Sequence, residues 1–483
     1  MQKNLRAKLG VSLVSLFYCS CLTAQMASNT CKSFLHSVGI ESSVSAVIVN
    51  IDKNDTLLSL NPHTRLVPAS TLKLLTTATA IELLGSDFKY STKVFALGDL
   101  KNSVFYGDIW VIGGGDPSFC SSYYEGNRTE NVFAVVLNAL KSKGIRSIAG
   151  GICVDDGYFP AINYPSTRLW EDMGNYYGAV PSSLNYLDNS LSIYLGSPKL
   201  PDQPCAIVRT EPLLPHLELD CKVRSSLSNR DSVYVFGVVG MSNWLVEGKM
   251  PAGQSSFLVK AALPVPPLCF ANDIAAYLRT NTISLREESR LGSCPFGRSG
   301  HVELAVFHSA SLPWMIKTVN TFSNNLWADN LFLTVGKRQT NKGSWNEARD
   351  EVKQYWSAHL KSVNDIYVAD GSGLSPKNLV SSAAMVELLA YMRHSANFNH
   401  YLQSLAVGGE TGTLKGMWTG REVKGRVFAK SGTISGVVAY AGYFRNRSGQ
   451  WCAFSVIVNN SLKSTSQLRY AIDTLVANYV LSE

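Results

Sequence analysis

Charge is scarce in this 483-residue sequence: Asp, Glu, Lys and Arg make up 17% of it. The cations are scattered rather than clustered, which argues against a nucleic-acid surface. Low-complexity tracts and fixed-period repeats are absent, which excludes a repeat architecture. Beyond the N-terminal leader no run reaches about 18 uncharged apolar residues, the length a membrane-spanning helix needs, so the mature protein is expected to be soluble. No cysteine pair has metal-ligand spacing and no histidines cluster beside the cysteines, so no metal is expected. No cofactor is expected either. Gly113-Gly114-Gly115-Asp116-Pro117 lacks the following Lys-Ser/Thr and helix pattern of a nucleotide loop and is read as a tight turn.

What is present begins with a leader. Lys3, Arg6 and Lys8 precede an apolar stretch from Gly10 to Leu22, and Thr23-Ala24 offers a small-residue cleavage point, so residues 1–24 read as a secretory signal peptide. An uncleaved anchor and, through Cys19 and Cys21, a lipoprotein are the rival readings. Removing the three basic residues lowers the formal charge from +8 to +5, a mild excess that suits an exported protein working near anionic wall polymer. Eight cysteines follow the leader. An oxidising compartment permits disulfides, with Cys205–Cys221 and Cys269–Cys294 the nearest pairs in sequence and Cys452 expected as a buried thiol.

The remaining chain is too long for one ordinary core. Val44–Asp52 and Thr56–Leu60 read as strands and Ser70–Leu84 as a helix stopped by Gly85. After Asp87 the pattern changes. A helix at Val132–Lys141, a strand at Ile145–Val154 and short strands from Leu184 to about Leu268 suggest a largely β region. Helical patterns return at Pro313–Val319, Leu326–Val335 and Ser382–Met392. Strands at Arg426–Ala429, Val437–Phe444 and Cys452–Val458 and a terminal helix marked by Leu468, Ile472, Leu475 and Tyr479 complete the chain. The expected fold class is α+β: an antiparallel sheet covered by helices, built from 25–89 and 291–483, interrupted by a mostly-β insertion at 90–290 that is itself divided.

Three short motifs stand in order: Ser70-Thr71-Leu72-Lys73, Ser323-Asn324-Asn325 and Lys430-Ser431-Gly432-Thr433. Separately each has a plain alternative, Ser70 as a helix cap, Lys73 as a solubilising residue, Ser323 as a cap. Together they match serine acyl enzymes in which Ser-x-x-Lys supplies nucleophile and partner amine. Three-residue spacing on a helix lets the Lys73 amine reach the Ser70 hydroxyl. Placed near Lys430 in a partly buried pocket, Lys73 is expected to have a lowered pKa and to act as general base. Ser323 would relay a proton to the leaving nitrogen, Asn325 would hold the substrate backbone, and Lys430, Ser431 and Thr433 would face its terminal carboxylate. Gly432 would leave room for close approach, and backbone N–H groups of Ser70 and Thr433 would hold the oxyanion.

These boxes, with Pro68-Ala69, Gly113–Pro117, Gly174-Asn175-Tyr176-Tyr177-Gly178-Ala179 and Asp370-Gly371-Ser372-Gly373-Leu374-Ser375, resemble the class C low-molecular-mass penicillin-binding proteins, D-alanyl-D-alanine carboxypeptidase/endopeptidases of the DacB type. The resemblance spans nearly all of the mature chain. It implies a periplasmic enzyme with a penicillin-recognising transpeptidase/β-lactamase-like domain, acting on peptidoglycan stem peptides and acylated by β-lactams at Ser70. It leaves open a homodimer and at most peripheral membrane contact. In some relatives the insertion receives the diamino-acid side chain of the stem peptide, which makes Trp170 and Asp172 candidates, with a structural role for Trp170 as the alternative. A serine β-lactamase is the rival activity. It would need a further base for deacylation that nothing near the boxes supplies.

Overall fold

The computed structural model describes residues 30–160, 164–295, 301–340 and 342–482; the signal peptide expected at 1–24 lies outside them. Chain contacts divide the protein into two compact units. One comprises the chain up to Leu75, Ser357–Tyr367 and the chain from Lys377; the other comprises Thr76–Trp356 and Val368–Pro376.

The first unit is built on six strands: β1 (Ser43–Asn50), β2 (Asp55–Leu60), β3 (Ala406–Val407), β4 (Val427–Ile434), β5 (Val437–Arg445) and β6 (Trp451–Asn459). They lie in the order β3-β4-β5-β6-β1-β2, every neighbour antiparallel. The near-continuous apolar runs of β5 and β6 belong to strands covered on both faces, and every residue of β6 is buried. On one face helix 30–38 and helix Thr465–Val480 pack Phe34, Val38, Leu468, Ile472 and Leu475 into a core with Ile48, Tyr440, Phe454 and Val456. Each such side chain contributes roughly 1.5–3 kcal/mol on burial. Against this sheet also lies helix Ser382–His394. Ser382 Oγ donates to the Ser45 carbonyl at 2.9 Å, and the Leu389 carbonyl accepts from the Tyr443 hydroxyl at 2.7 Å. The terminal helix is started by a capping box between Ser464 and Gln467. The sheet that the sequence splits between its two ends is thus one layer, with Ser43 opposite Asn459.

The second unit is mixed. Strands Val104–Ile112, Ser91–Lys101 and His301–His308 form the antiparallel part of a seven-stranded sheet, and Ser147–Ile148 and Ile152–Asp155 join it in parallel. The single strand expected at Ile145–Val154 is therefore two, separated by Ala149-Gly150-Gly151. Two three-stranded sheets occupy the stretch from Ser190 to Ala262. Helix Pro266–Thr280 begins inside the stretch, to about Leu268, in which short strands are expected, and it opens on two prolines. At the first turn, however, proline removes only an N–H that has no helical partner, and Phe270, Ile274 and Leu278 are buried in the unit's core.

Part of this unit's interior is rich in hydroxyls. Most of helix Lys73–Leu84 belongs here, and its threonines are buried: Thr76 Oγ1 donates to the Gly371 carbonyl at 2.6 Å, Asn320 Nδ2 to Thr77 Oγ1 at 3.0 Å and Trp356 Nε1 to Thr79 Oγ1 at 2.8 Å. None of the described helices is long and apolar enough to cross a membrane. All eight described cysteines are free, Cys452 being buried in β6, so neither expected disulfide is formed. The Cys221 thiol instead donates to the Cys205 carbonyl at 3.6 Å.

The turn at Gly113–Pro117 encloses one ionisable group. Asp116 is buried, its Oδ1 accepting from the Ser118 N–H at 2.7 Å and the Ser118 hydroxyl at 2.6 Å. Burial pushes its pKa up to about 6, against those hydrogen bonds. A carboxyl whose folded pKa exceeds its unfolded value stabilises most when protonated, so this contribution is present at acid pH and lost as pH rises from about 4 through about 6. Asp116→Asn, which keeps the Oδ1 acceptor, is expected to shift its Tm relative to wild type upward between pH 4 and pH 7.5. A Tm difference that stays flat over that range would remove Asp116 as the cause.

Candidate functional site

Ser70 sits in a tight turn, a 3-10 helix at Ala69–Leu72, and the α-helix proper starts only at Lys73. The helix expected from Ser70 therefore begins one turn late. Ala69, fully buried, takes a left-handed backbone with φ 46°, a conformation that costs a non-glycine residue about 1 kcal/mol or more. The result is the expected contact: Lys73 Nζ donates to Ser70 Oγ at 2.9 Å.

β4 carries the third box beside this turn. Lys430 and Lys73 are both fully buried. The Lys430 ammonium donates to the Ser431 carbonyl at 2.7 Å. Burial first, and then the charge of Lys73, lower its pKa well below that of an ordinary lysine. Gly432 faces the Ala69–Leu72 turn so closely that a Cβ there would lie 2.7 Å from the Pro68 carbonyl oxygen and 3.0 Å from the Ser70 and Thr71 nitrogens. The Ser431 hydroxyl donates to Thr413 Oγ1 at 2.7 Å, a partner the sequence did not suggest. Thr433 Oγ1 accepts from Arg469 Nη2 at 3.5 Å.

The middle box lies in the second unit. Ser323 ends helix Leu312–Phe322 in a left-handed conformation, φ 62°. Asn324, not Ser323, performs the capping: its Oδ1 accepts from the Trp327 N–H at 3.0 Å at the start of helix Asn325–Thr340. Asn325 Nδ2 donates to the Tyr177 carbonyl at 2.8 Å, so the segment Gly174–Ala179 rests on the motif.

That segment is anchored by a buried ion cluster that sequence reasoning passed over. Arg168 Nη2 lies 2.9 Å from Asp329 and 3.6 Å from Asp370, all three side chains fully buried, and Nη1 donates to the Gly178 carbonyl at 3.2 Å. Burial alone would weaken the guanidinium charge, but Asp329 and Asp370 outweigh it and raise the Arg168 pKa. Asp329 is four residues after Asn325, hence on the same helix face. Its Oδ1 accepts from the Gly371 N–H at 2.9 Å, and Asp370 accepts from Gly373 and Ser375 N–H groups, both at 2.8 Å. The loop Asp370–Ser375 is thus braced by carboxylates. No periodicity in the sequence marks the ion cluster: Arg168 stands between Thr167 and Leu169 as a lone charge.

Trp170 is half exposed and stacks on Phe236 with ring centroids 6.5 Å apart. Asp172 is nearly buried. Burial raises its pKa while Arg168 opposes, and the Tyr177 hydroxyl is its hydrogen-bond partner.

Comparison with known proteins agrees with this geometry. The family model described as D-Ala-D-Ala carboxypeptidase 3 (S13) matches residues 28–479. A D-alanyl-D-alanine carboxypeptidase of Actinomadura sp. (strain R39) is 27% identical over 439 residues, 88% of this chain and 80% of that one. DacB of Haemophilus influenzae is 26% identical over 424 residues, 86% of this chain and 85% of that one. The crystal structure of H. influenzae penicillin binding protein 4 (dacB) has the same fold, with a TM-score of 0.79 at 23% identity, covering 93% of this chain and 99% of that one. A motif set in the expected order, a lysine on the candidate serine and a family match over almost the whole described chain lead to one assignment: this chain belongs to the D-Ala-D-Ala carboxypeptidase 3 (S13) family and is a serine-type carboxypeptidase.

Proposed function

We propose that Ser70 is the nucleophile of a periplasmic D-Ala-D-Ala carboxypeptidase, and DD-endopeptidase, acting on peptidoglycan stem peptides. The observation that carries this reading is the 2.9 Å contact between Lys73 Nζ and Ser70 Oγ, made by a fully buried amine. Ser70 Oγ attacks the carbonyl carbon of the penultimate D-alanine as its proton passes to the Lys73 amine. The oxyanion is held by the backbone N–H groups of Ser70 and Thr433. Collapse breaks the C–N bond, Ser323 relays a proton to the leaving nitrogen, and water then hydrolyses the acyl ester. Lys430 works on proton affinity: a second buried cation disfavours an extra proton on its neighbour. Asn325 holds the substrate backbone. β-Lactams enter by the same attack and stop at the ester, because their leaving nitrogen stays tethered. A β-lactamase is not favoured, since the family match covers residues 28–479. The H. influenzae relative's structure has also been determined in complex with a β-lactam.

The insertion at 90–290 we read as the body that restricts which strands enter, with Trp170 and Asp172 facing the stem-peptide side chain. A second copy of the chain and peripheral membrane contact belong to the same proposal only as compatible states.

Ser70→Ala is expected to abolish D-Ala release and covalent labelling by benzylpenicillin. Peptide mapping of the wild-type adduct by mass spectrometry should place it on Ser70, and an adduct on any other residue sinks the mechanism. Lys73→Ala should keep the fold and slow acylation at least ~10²-fold. Stopped-flow measurement with a chromogenic β-lactam reads this, and a loss below tenfold moves the base elsewhere. Trp170→Ala and Asp172→Asn should reduce cleavage of crosslinked muropeptides more than hydrolysis of a small D-Ala-D-Ala peptide. Equal losses on both would leave these residues a purely structural role.

A further inference from the structure

The substrate ends in a free carboxylate, and the lysine of the third box is poorly placed to hold it. Lys430 is fully buried, its ammonium is turned to the Ser431 carbonyl at 2.7 Å, and its pKa is lowered by burial and by Lys73. A buried ammonium that already donates to a backbone carbonyl has little left to offer an anion. Of the two hydroxyls beside it, Ser431 has its proton committed to Thr413 Oγ1 at 2.7 Å. Thr433 is exposed at the end of β4, and its partner is a guanidinium: Arg469 Nη2, 3.5 Å from Thr433 Oγ1.

Arg469 stands where it does for structural reasons. Its neighbours Leu468 and Ile472 are buried against the sheet, so helix Thr465–Val480 cannot turn Arg469 away. The acid one helical turn on, Asp473, is engaged elsewhere: its carboxylate accepts from the Trp418 N–H, and burial raises its pKa. Among the described residues Arg469 forms no ion pair with an acid. An exposed guanidinium keeps its charge at any physiological pH and presents paired donors that match a carboxylate.

We propose that Arg469, together with the Thr433 hydroxyl, binds the C-terminal carboxylate of the substrate and so selects peptides with a free D-amino-acid end. The assignment rests on Ser70 being the acylated residue, because the carboxylate lies one residue beyond the bond that Ser70 attacks. Lys430 then governs the proton, and Arg469 governs the anion.

The test compares diacetyl-L-Lys-D-Ala-D-Ala with its C-terminal carboxamide, using wild type, Arg469→Gln and Arg469→Lys. Arg469→Gln is expected to lower kcat/KM on the free acid about tenfold, the scale of one charge-assisted hydrogen bond discounted for exposure. The loss should appear in KM, with the carboxamide unaffected and Arg469→Lys recovering part of it. Wild-type preference for the acid should fall as salt is raised, and that fall should vanish in Arg469→Gln. Parallel losses on acid and amide, or an unchanged acid-to-amide ratio while Ser70 remains the labelled residue, would overturn the assignment alone. A wild type that releases D-Ala from neither peptide and takes no label at Ser70 would overturn the peptidase reading and this assignment with it.

Discussion

Two lysine side chains share a dry environment, and most of what surrounds them follows from that constraint. An ammonium group out of water is costly, and a second one nearby raises the cost. Lys430 shows the effect directly, with its pKa pushed down by burial and by Lys73. The fold tolerates this because β4 is held in a sheet whose neighbouring strands are almost entirely buried. Holding both amines dry lowers the proton affinity of Lys430, and the mechanism proposed above gives Lys73 the serine proton. The strained backbone at Ala69 belongs to the same arrangement, because it turns Ser70 toward Lys73 ahead of the helix.

A second constraint acts in the other unit through Arg168. Removing one member of a buried ion cluster typically costs about 3–5 kcal/mol, since the partners' charges are left without compensation. Arg168, Asp329 and Asp370 therefore fix three chain segments to one another. Because Asp329 and Asn325 lie on one helix face, the Tyr177 carbonyl is fixed over the Asn325 amide as well. One Asn325 N–H is thereby committed, and the amide plane cannot rotate without losing that bond. A segment of the insertion thus sets the direction in which a motif residue presents its remaining polar atoms.

The sequence made legible whatever depends on local spacing. Ser70 and Lys73 meet because three residues separate them on a helical turn, and β4, β5 and β6 announce themselves as apolar runs in close succession. The terminal helix shows its period through Leu468, Ile472 and Leu475. What stayed hidden depends on distant partners. Thr76, Thr77 and Thr79 look like a polar helix face, yet they are buried because a glycine carbonyl, an asparagine and a tryptophan reach them from far along the chain. Arg168 is buried by Asp329 and Asp370, which lie far along the chain from it. The stretch expected to hold only short strands to about Leu268 begins a helix at Pro266. The close cysteine spacings suggested bridges, but sequence proximity says nothing about how two thiols face each other.

Gly432 carries one more consequence. Its hydrogen stands where any carbon would press on the Pro68 carbonyl and the Ser70 nitrogen. On the proposed reading of Ser70, bulk added beside that serine is a route to evading a β-lactam, since the drug and the wall peptide use the same entrance. At this position that route is closed. A methyl group here would first push β4 off the turn that carries Ser70. A change at Gly432 thus disturbs the turn around Ser70 before it can tell peptide from antibiotic, and the contact is protected by its own tightness.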